Sequence, residues 1–413
     1  MAKGLVVAIL SILFYLSNLL GGGQGPVRTA DPPSEQQSYV VLGQTAYITA
    51  EKAIVRRGPH SGDTPVGTVA KGAAVTILDQ KGNWRRIRYA PGADGWIPSY
   101  VLEFTETPQR GQDQIVLAHF PADPPAIESL LENGGSLTGI APWGWHLDSY
   151  GNLSTSFQPE VLGKHLYFAG NQKLKTYALV RLDASPVKLL ENEYLQEKTA
   201  REILESIKEW GLKGVYLDLN YIPREEEKLG NFLKNLKALL DPEGFQTLLA
   251  LPMEGLSGKS GSALSSAADY LIVKTGGKPE RDGPGPLASY PVIKESLKDI
   301  LKRIPGEKLI LGLRPGGFDW ARMGAPAELS YQEIMQLAAR RGASVKWDAE
   351  SRSPYFQYGT GHEVWFENRY SLKHKLDLIH DFGLAGIAFL RLGQEDPEIW
   401  NTISTSFNQP IAR

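Results

Sequence analysis

Eight apolar runs of strand length, spread through residues 114–406 and separated by runs of helical periodicity, predict an α/β chain built as a (β/α)8 barrel. Ahead of them, residues 45–104 change to short β-type runs broken by Gly and Pro, which predicts a separate small all-β domain. With 413 residues, 42% of them apolar, the chain can bury more than one core.

Taken in order, Lys3 is followed by an uncharged apolar run (4–20) and then by a polar stretch rich in Gly and Pro. A basic start before an apolar run is the pattern of a secretory signal. Removal is expected near 21–25, although no A-x-A site is present. The run is just short of the roughly 20 residues a spanning helix needs. An uncleaved anchor, with membrane contact through this segment alone, is therefore the alternative. Residues 1–24 are assigned to the signal or anchor and 25–44 to a linker.

Within 45–104, the stretches IVRRGP (54–59), GTVAKGAAVTIL (67–78), GNWRRIRY (82–89) and DGWIPSYVL (94–102) resemble, in order and spacing, a bacterial SH3-type domain. The resemblance implies a small β-barrel used for binding, often to cell-wall peptidoglycan or peptide. Eight Lys/Arg against five Asp/Glu make the segment mildly basic, which suits an anionic wall polymer or simply a solvated surface. Trp84 and Trp96 are expected in the core of this domain. Residues 105–113 read as a second linker.

The eight predicted barrel strands are 115–120, 137–142, 176–182, 214–220, 246–252, 270–274, 308–313 and 386–390. Helical patterns between them include 197–210, 225–240, 292–304 and 371–382. Residues 321–366 are too long for an ordinary loop and carry their own helix pattern at 331–341. They are expected to form a small insertion between the seventh strand and the last helix.

The stretch GLKGVYLDLNYIP (211–223) bears most directly on function. Val215, Leu217 and Leu219 would share one face of the fourth strand, and Tyr216, Asp218 and Asn220 the other. A carboxylate inside a barrel is costly unless it is paired or used, so Asp218 is either a hydrogen-bonded structural aspartate or a functional one. This stretch resembles the fourth-strand signature of family 18 glycoside hydrolases, D-x-x-D-x-D-x-E, whose four positions fall here on Lys213, Tyr216, Asp218 and Asn220. Only Asp218 is intact. Segments 139–154, 283–320 and 362–393 resemble further parts of the spore-wall type of the same family.

The resemblance implies substrate-assisted hydrolysis, in which the sugar's N-acetyl oxygen attacks the anomeric carbon while a Glu protonates the leaving oxygen. Here that Glu is Asn220, and an amide cannot act as the acid. The family's Tyr after the sixth strand is Gly276, with Lys274 in place of a Met. The aromatic after the seventh is Gly316, and the Trp on the eighth is Leu390. These departures predict a barrel that has lost hydrolysis but still binds sugar. Asp183 and Glu254, at strand ends, are either loop carboxylates or a relocated acid. Lys274 shares the strand parity of Asp218, so a buried Lys–Asp pair is expected to turn the catalytic slot into a structural or binding one. Trp143, Trp145 and His146, at the end of the second strand, are the candidates for stacking on pyranose faces, with at least one Trp expected in the core. Trp365 and Glu367 receive no assignment.

Several functions are disfavoured. A net charge of −2 gives no electrostatic case for nucleic acid. The absence of cysteine excludes disulfides, thiol catalysis and cysteine-ligated metals. The seven His show no metal-ligand spacing. GKS (258–260) is not a phosphate loop, because Met253 stands where a Gly is required, and His362-Glu363 lacks the second His of a zinc-protease helix. No cofactor is expected. The predicted partners are cell-wall glycan or peptidoglycan, with envelope proteins as further candidates. The sequence thus predicts an exported, wall- or spore-envelope-associated binding protein, the alternatives being an active family 18 glycosidase and a structural envelope protein.

Overall fold

The computed structural model describes residues 41–104, 114–182, 186–220, 226–256, 260–276 and 283–407. The signal or anchor at 1–24, the linker at 105–113 and Asp183 lie outside these residues. No helix among the described residues is long and apolar enough to cross a membrane.

Eight parallel strands close into a barrel: β1 (Ile115–Phe120), β2 (Gly139–Pro142), β3 (Lys175–Leu182), β4 (Gly214–Asp218), β5 (Gln246–Pro252), β6 (Tyr270–Lys274), β7 (Leu309–Leu313) and β8 (Gly386–Phe389). Each pairs with the next, and β8 pairs with β1 to complete the ring. Period-two alternation sorts their side chains. Leu117, Tyr216, Leu248, Ile272 and Ala388 pack in the lumen. Val116, Val215, Leu249, Leu271 and Ile387 face outward, under the helices.

Local signals set the helix that delivers β4. The side chain of Asn192 caps the N-terminus of Glu193–Trp210 by accepting from the Leu195 amide, and Gly211 ends it at φ 63°. The chain then enters β4 with Val215 outward and Tyr216 inward.

Beyond β7 an antiparallel five-stranded sheet forms (Gly317–Trp320, Ala327–Leu329, Lys346–Asp348, Ser353–Tyr358 and His362–Phe366), with helix Tyr331–Arg341 packed on it. Ser330 and Glu333 form a capping box at the start of that helix. The insertion therefore begins at Gly317, slightly earlier than the sequence suggests, because Gly317–Trp320 leaves the barrel and pairs with His362–Phe366.

The N-terminal domain is a seven-stranded antiparallel sheet around Ala46, Val55, Ile77, Ile87 and Ile97. Trp84 and Trp96 are only half-buried, contrary to expectation. Alternation turns Gly95 and Ile97 inward and leaves Trp96 on the other face. The domain rests on two barrel helices. Buried Arg88 donates to Glu128 and Glu132 of Pro124–Asn133, each at 2.7 Å, and the Gly92 amide donates to Glu132. Asn171, the last residue of Pro159–Asn171, donates to the Leu42 carbonyl at 2.7 Å, and Gln172 donates to that of Gly43.

The Arg88 clamp yields a prediction. Glu128 and Glu132 keep contact with solvent, so each pair contributes only about 1 kcal/mol or less. Arg88→Ala should leave both units folded by circular dichroism but raise the radius of gyration in small-angle scattering. An unchanged radius would show that the contacts at 42–43 hold the domains by themselves.

Candidate functional site

Continuing the inward series of each strand to the C-terminal mouth brings one ring of side chains together: His119, Trp143, Arg181, Asp218, Lys274, Arg314 and Leu390. This is the end at which barrel proteins build their sites.

Asp218 and Lys274 form its centre. The Lys274 Nζ donates to Asp218 Oδ1 at 2.6 Å and reaches Asn220 Oδ1 at 3.3 Å. Both members of the ion pair are nearly buried, whereas Asn220 is exposed on the rim. Burial pushes the Asp218 carboxyl up, but Lys274, His119 and Arg181 outweigh it, so the group lies below the usual carboxylate range. Lys274 is also lowered, by burial first; Asp218 opposes that shift, and Arg314 and Arg181 reinforce it.

Beneath this pair, Tyr216 is fully buried and meets His119 edge-on, with ring centroids 4.7 Å apart. The Tyr216 hydroxyl and His119 Nε2 have no hydrogen-bond partner among the described residues. Burial, helped by the nearby Lys274, Arg314 and Arg181, brings His119 down to about 4 despite Asp218. Burial, and then Asp218, raises Tyr216 well above its ordinary value. His119 is therefore neutral, and Tyr216 protonated, across the physiological range.

Gly276 has φ 68°, and a Cβ there would lie 2.3 Å from the Leu287 carbonyl oxygen. No tyrosine fits without moving that backbone. Gly316 is blocked likewise, a Cβ coming within 2.5 Å of the Leu329 carbonyl oxygen. Leu390 is nearly buried and packs in the lumen cluster, capping it with a hydrocarbon.

The two tryptophans separate. Trp143 stays at the mouth, packed against the lumen cluster, with the Arg181 and Arg391 guanidiniums 5.4 and 5.2 Å from its ring. Trp145 is fully buried in the outer shell. Its indole donates to Ser206 at 2.7 Å, and its ring lies 4.6 Å from that of Phe157. This corrects its expected role as a sugar platform. The chain breaks at Gly144 (φ 123°) and resumes as Trp145–Leu147, in register with outward-facing Val180. His146 lies beside the mouth, with Nε2 2.9 Å from the Ser156 hydroxyl. Glu254 is exposed on a single 3-10 turn after β5.

Trp365 stacks on Tyr355 within the insertion, rings 4.6 Å apart. Glu367 accepts from buried Lys375 at 2.5 Å and stabilises helix Arg369–Asp381. Neither belongs to the mouth. Sequence reasoning missed Arg181, Arg314 and His119. Extending the period-two parity to the ends of β1, β3 and β7 would have found all three. No group of His, Asp and Glu among the described residues is arranged to hold a metal ion.

A closed parallel barrel with its charged groups gathered at the C-terminal mouth defines a TIM-barrel protein. The family described as glycosyl hydrolases family 18 matches residues 187–395, and a bacterial SH3 domain matches 51–103. The chain belongs to glycosyl hydrolase family 18. It is 27% identical over 245 residues to the "Cortical fragment-lytic enzyme" of Bacillus subtilis (strain 168), covering 53% of this chain and 56% of that protein. The chain thus spans little more than half the length of that relative. Two solved structures share the fold, each with TM-score 0.65. A chitinase from Chromobacterium violaceum ATCC 12472 is 23% identical, over 72% of this chain and 100% of that one. The spore cortex-lytic enzyme SleL of Bacillus megaterium QM B1551 is 22% identical, over 79% and 80%.

The ion pair makes a stability prediction. Because Asp218 is lowered on folding, its contribution is fully present above the ordinary carboxylate value of about 3.9 and is lost as pH falls through the folded value. Lys274→Met leaves the carboxylate buried without its ammonium and should cost about 3–5 kcal/mol near pH 7. Burial then acts with less opposition and raises Asp218, so the deficit should shrink on acidification toward about pH 5. Urea midpoints at the two pH values measure this; a deficit independent of pH would rule out an uncompensated carboxylate as its cause.

Proposed function

We propose that the chain is a wall- or spore-envelope-associated protein that binds N-acetylated glycan at the barrel mouth without hydrolysing it, the SH3-type domain adding contact with the wall polymer. One observation carries the reading. The position of the family's acid is Asn220, and the group nearest its amide oxygen is an ammonium already committed to Asp218. Removing a general acid costs roughly 10²–10⁴ in rate. The other departures reinforce it: backbone geometry forbids a side chain at Gly276, and Leu390 offers no indole. In this reading Asp218 and Lys274 shape the floor of the site, while Trp143, Asn220 and Leu390 meet the sugar. The names of the relatives and structural neighbours point to cortex and chitin-type glycans and so to the envelope as the place of action.

A hydrolytic reading is favoured by family membership alone and would need water, Lys274 or Glu254 as proton source. Binding of chitotetraose and of peptidoglycan fragments should be measured alongside release of reducing ends. Saturable binding with turnover at least about 10²-fold below active family members is expected. Turnover at the rate of those enzymes would overturn the proposal. Absence of any binding would favour a structural envelope role.

A further inference from the structure

Among the described residues, four cations stand at the mouth, and one of them has no counter-ion. Lys274 is held by Asp218, Arg314 by Glu328 at 2.8 Å, and Arg391 by Asp123 at 2.7 Å. Arg181 forms no ion pair and no hydrogen bond among the described residues; its guanidinium rests near the Trp143 ring. It stands at the end of β3, in register with Asp218 on one side and His146 on the other. Asp218 cannot serve it fully, because the Lys274 ammonium already occupies one carboxylate oxygen.

Arg181 also lines a cleft of about 420 Å³ that opens beside the lumen. Its polar wall is made by His146, Ser156 and Gln158, and Trp143 forms a flat side. Burial is the larger cause of the lowering of His119 and Lys274, and Arg314 and Arg181 add to it in both. A neutral pyranose gains nothing from such a field. A carboxylate gains a charge-assisted pair with a planar guanidinium in a partly dry cleft.

We propose that this cleft selects an acidic saccharide, seating a carboxylate of the bound glycan on Arg181 beside Trp143. The inference rests on the glycan-binding reading above and adds the chemical class of the sugar. The carboxylate comes either from a lactyl ether on a ring hydroxyl or from a uronic acid; both present a planar anion, on a short ether arm in the first case and directly on the ring in the second.

Titration calorimetry of the full chain tests it with four N-acetylated oligomers of equal length: a neutral one, a lactyl-ether acid, the methyl ester of that acid, and a uronate. At least one acid should bind about tenfold or more tighter than the neutral oligomer, the range of a hydrogen bond to a charged group. If the lactyl-ether acid is the source, its methyl ester should lose the advantage; if the uronate alone gains, that identifies the other source. The advantage should fall as salt rises. Arg181→Met should abolish the preference for acid over ester, and Arg181→Lys, which keeps the charge but not the fork, should retain part of it. Equal binding of acids, ester and neutral oligomer would overturn the acidic preference and leave glycan binding standing. Binding of none at millimolar concentration would overturn both.

Discussion

An ammonium and a carboxylate 2.6 Å apart, nearly closed off from water, hold the mouth of this barrel in its present chemical state. Neither charge would be tolerated there alone, because taking an ion out of water costs several kcal/mol that only a close partner can return. The pair therefore fixes both side chains at once. It also brings the Lys274 ammonium within 3.3 Å of the Asn220 amide oxygen. The carboxylate at 218 therefore sits in a salt bridge beside the Asn220 amide.

The surrounding residues complete the mouth. At 276, φ 68° against the Leu287 carbonyl leaves no room for a side chain. Leu390 fills the eighth-strand position with hydrocarbon. His119 stays neutral beneath, since the cations around it and its own burial outweigh Asp218. Arg181, left without an anion of its own among the described residues, gives the site a polarity that a neutral chitin chain does not require. The SH3-type domain is not a loose appendage. Arg88 and the backbone at 42–43 fasten it to two helices of the barrel wall.

Strand parity carried most of the legible information. Alternation in 214–220 correctly separates Val215 and Leu217 from Tyr216 and Asp218, and the same parity at 270–274 places Lys274 inward with Asp218. It failed at Trp145. A single glycine at 144 resets the register, so the residue two beyond Trp143 faces out instead of in. It failed in another way at Trp84 and Trp96, where aromatic character suggested core but the pleat left each half-exposed. Arg181 and Arg314 went unnoticed because each lies one step past the apolar run of its strand, where the inward parity had not been followed.

The chain alone determined the family, the eight-fold alternation, and the absence of a carboxyl at 220, since these reside in residue identity and local period. Tertiary structure decided which charges meet. Lys274 and Asp218 are 56 residues apart, and Arg88 and Glu132 are 44 apart. Whether such groups touch depends on strand tilt, the closure of the ring and the docking of one domain on another. No local pattern of hydrophobicity encodes those distances, because the same alternation is compatible with any register between neighbouring strands that keeps the apolar faces buried.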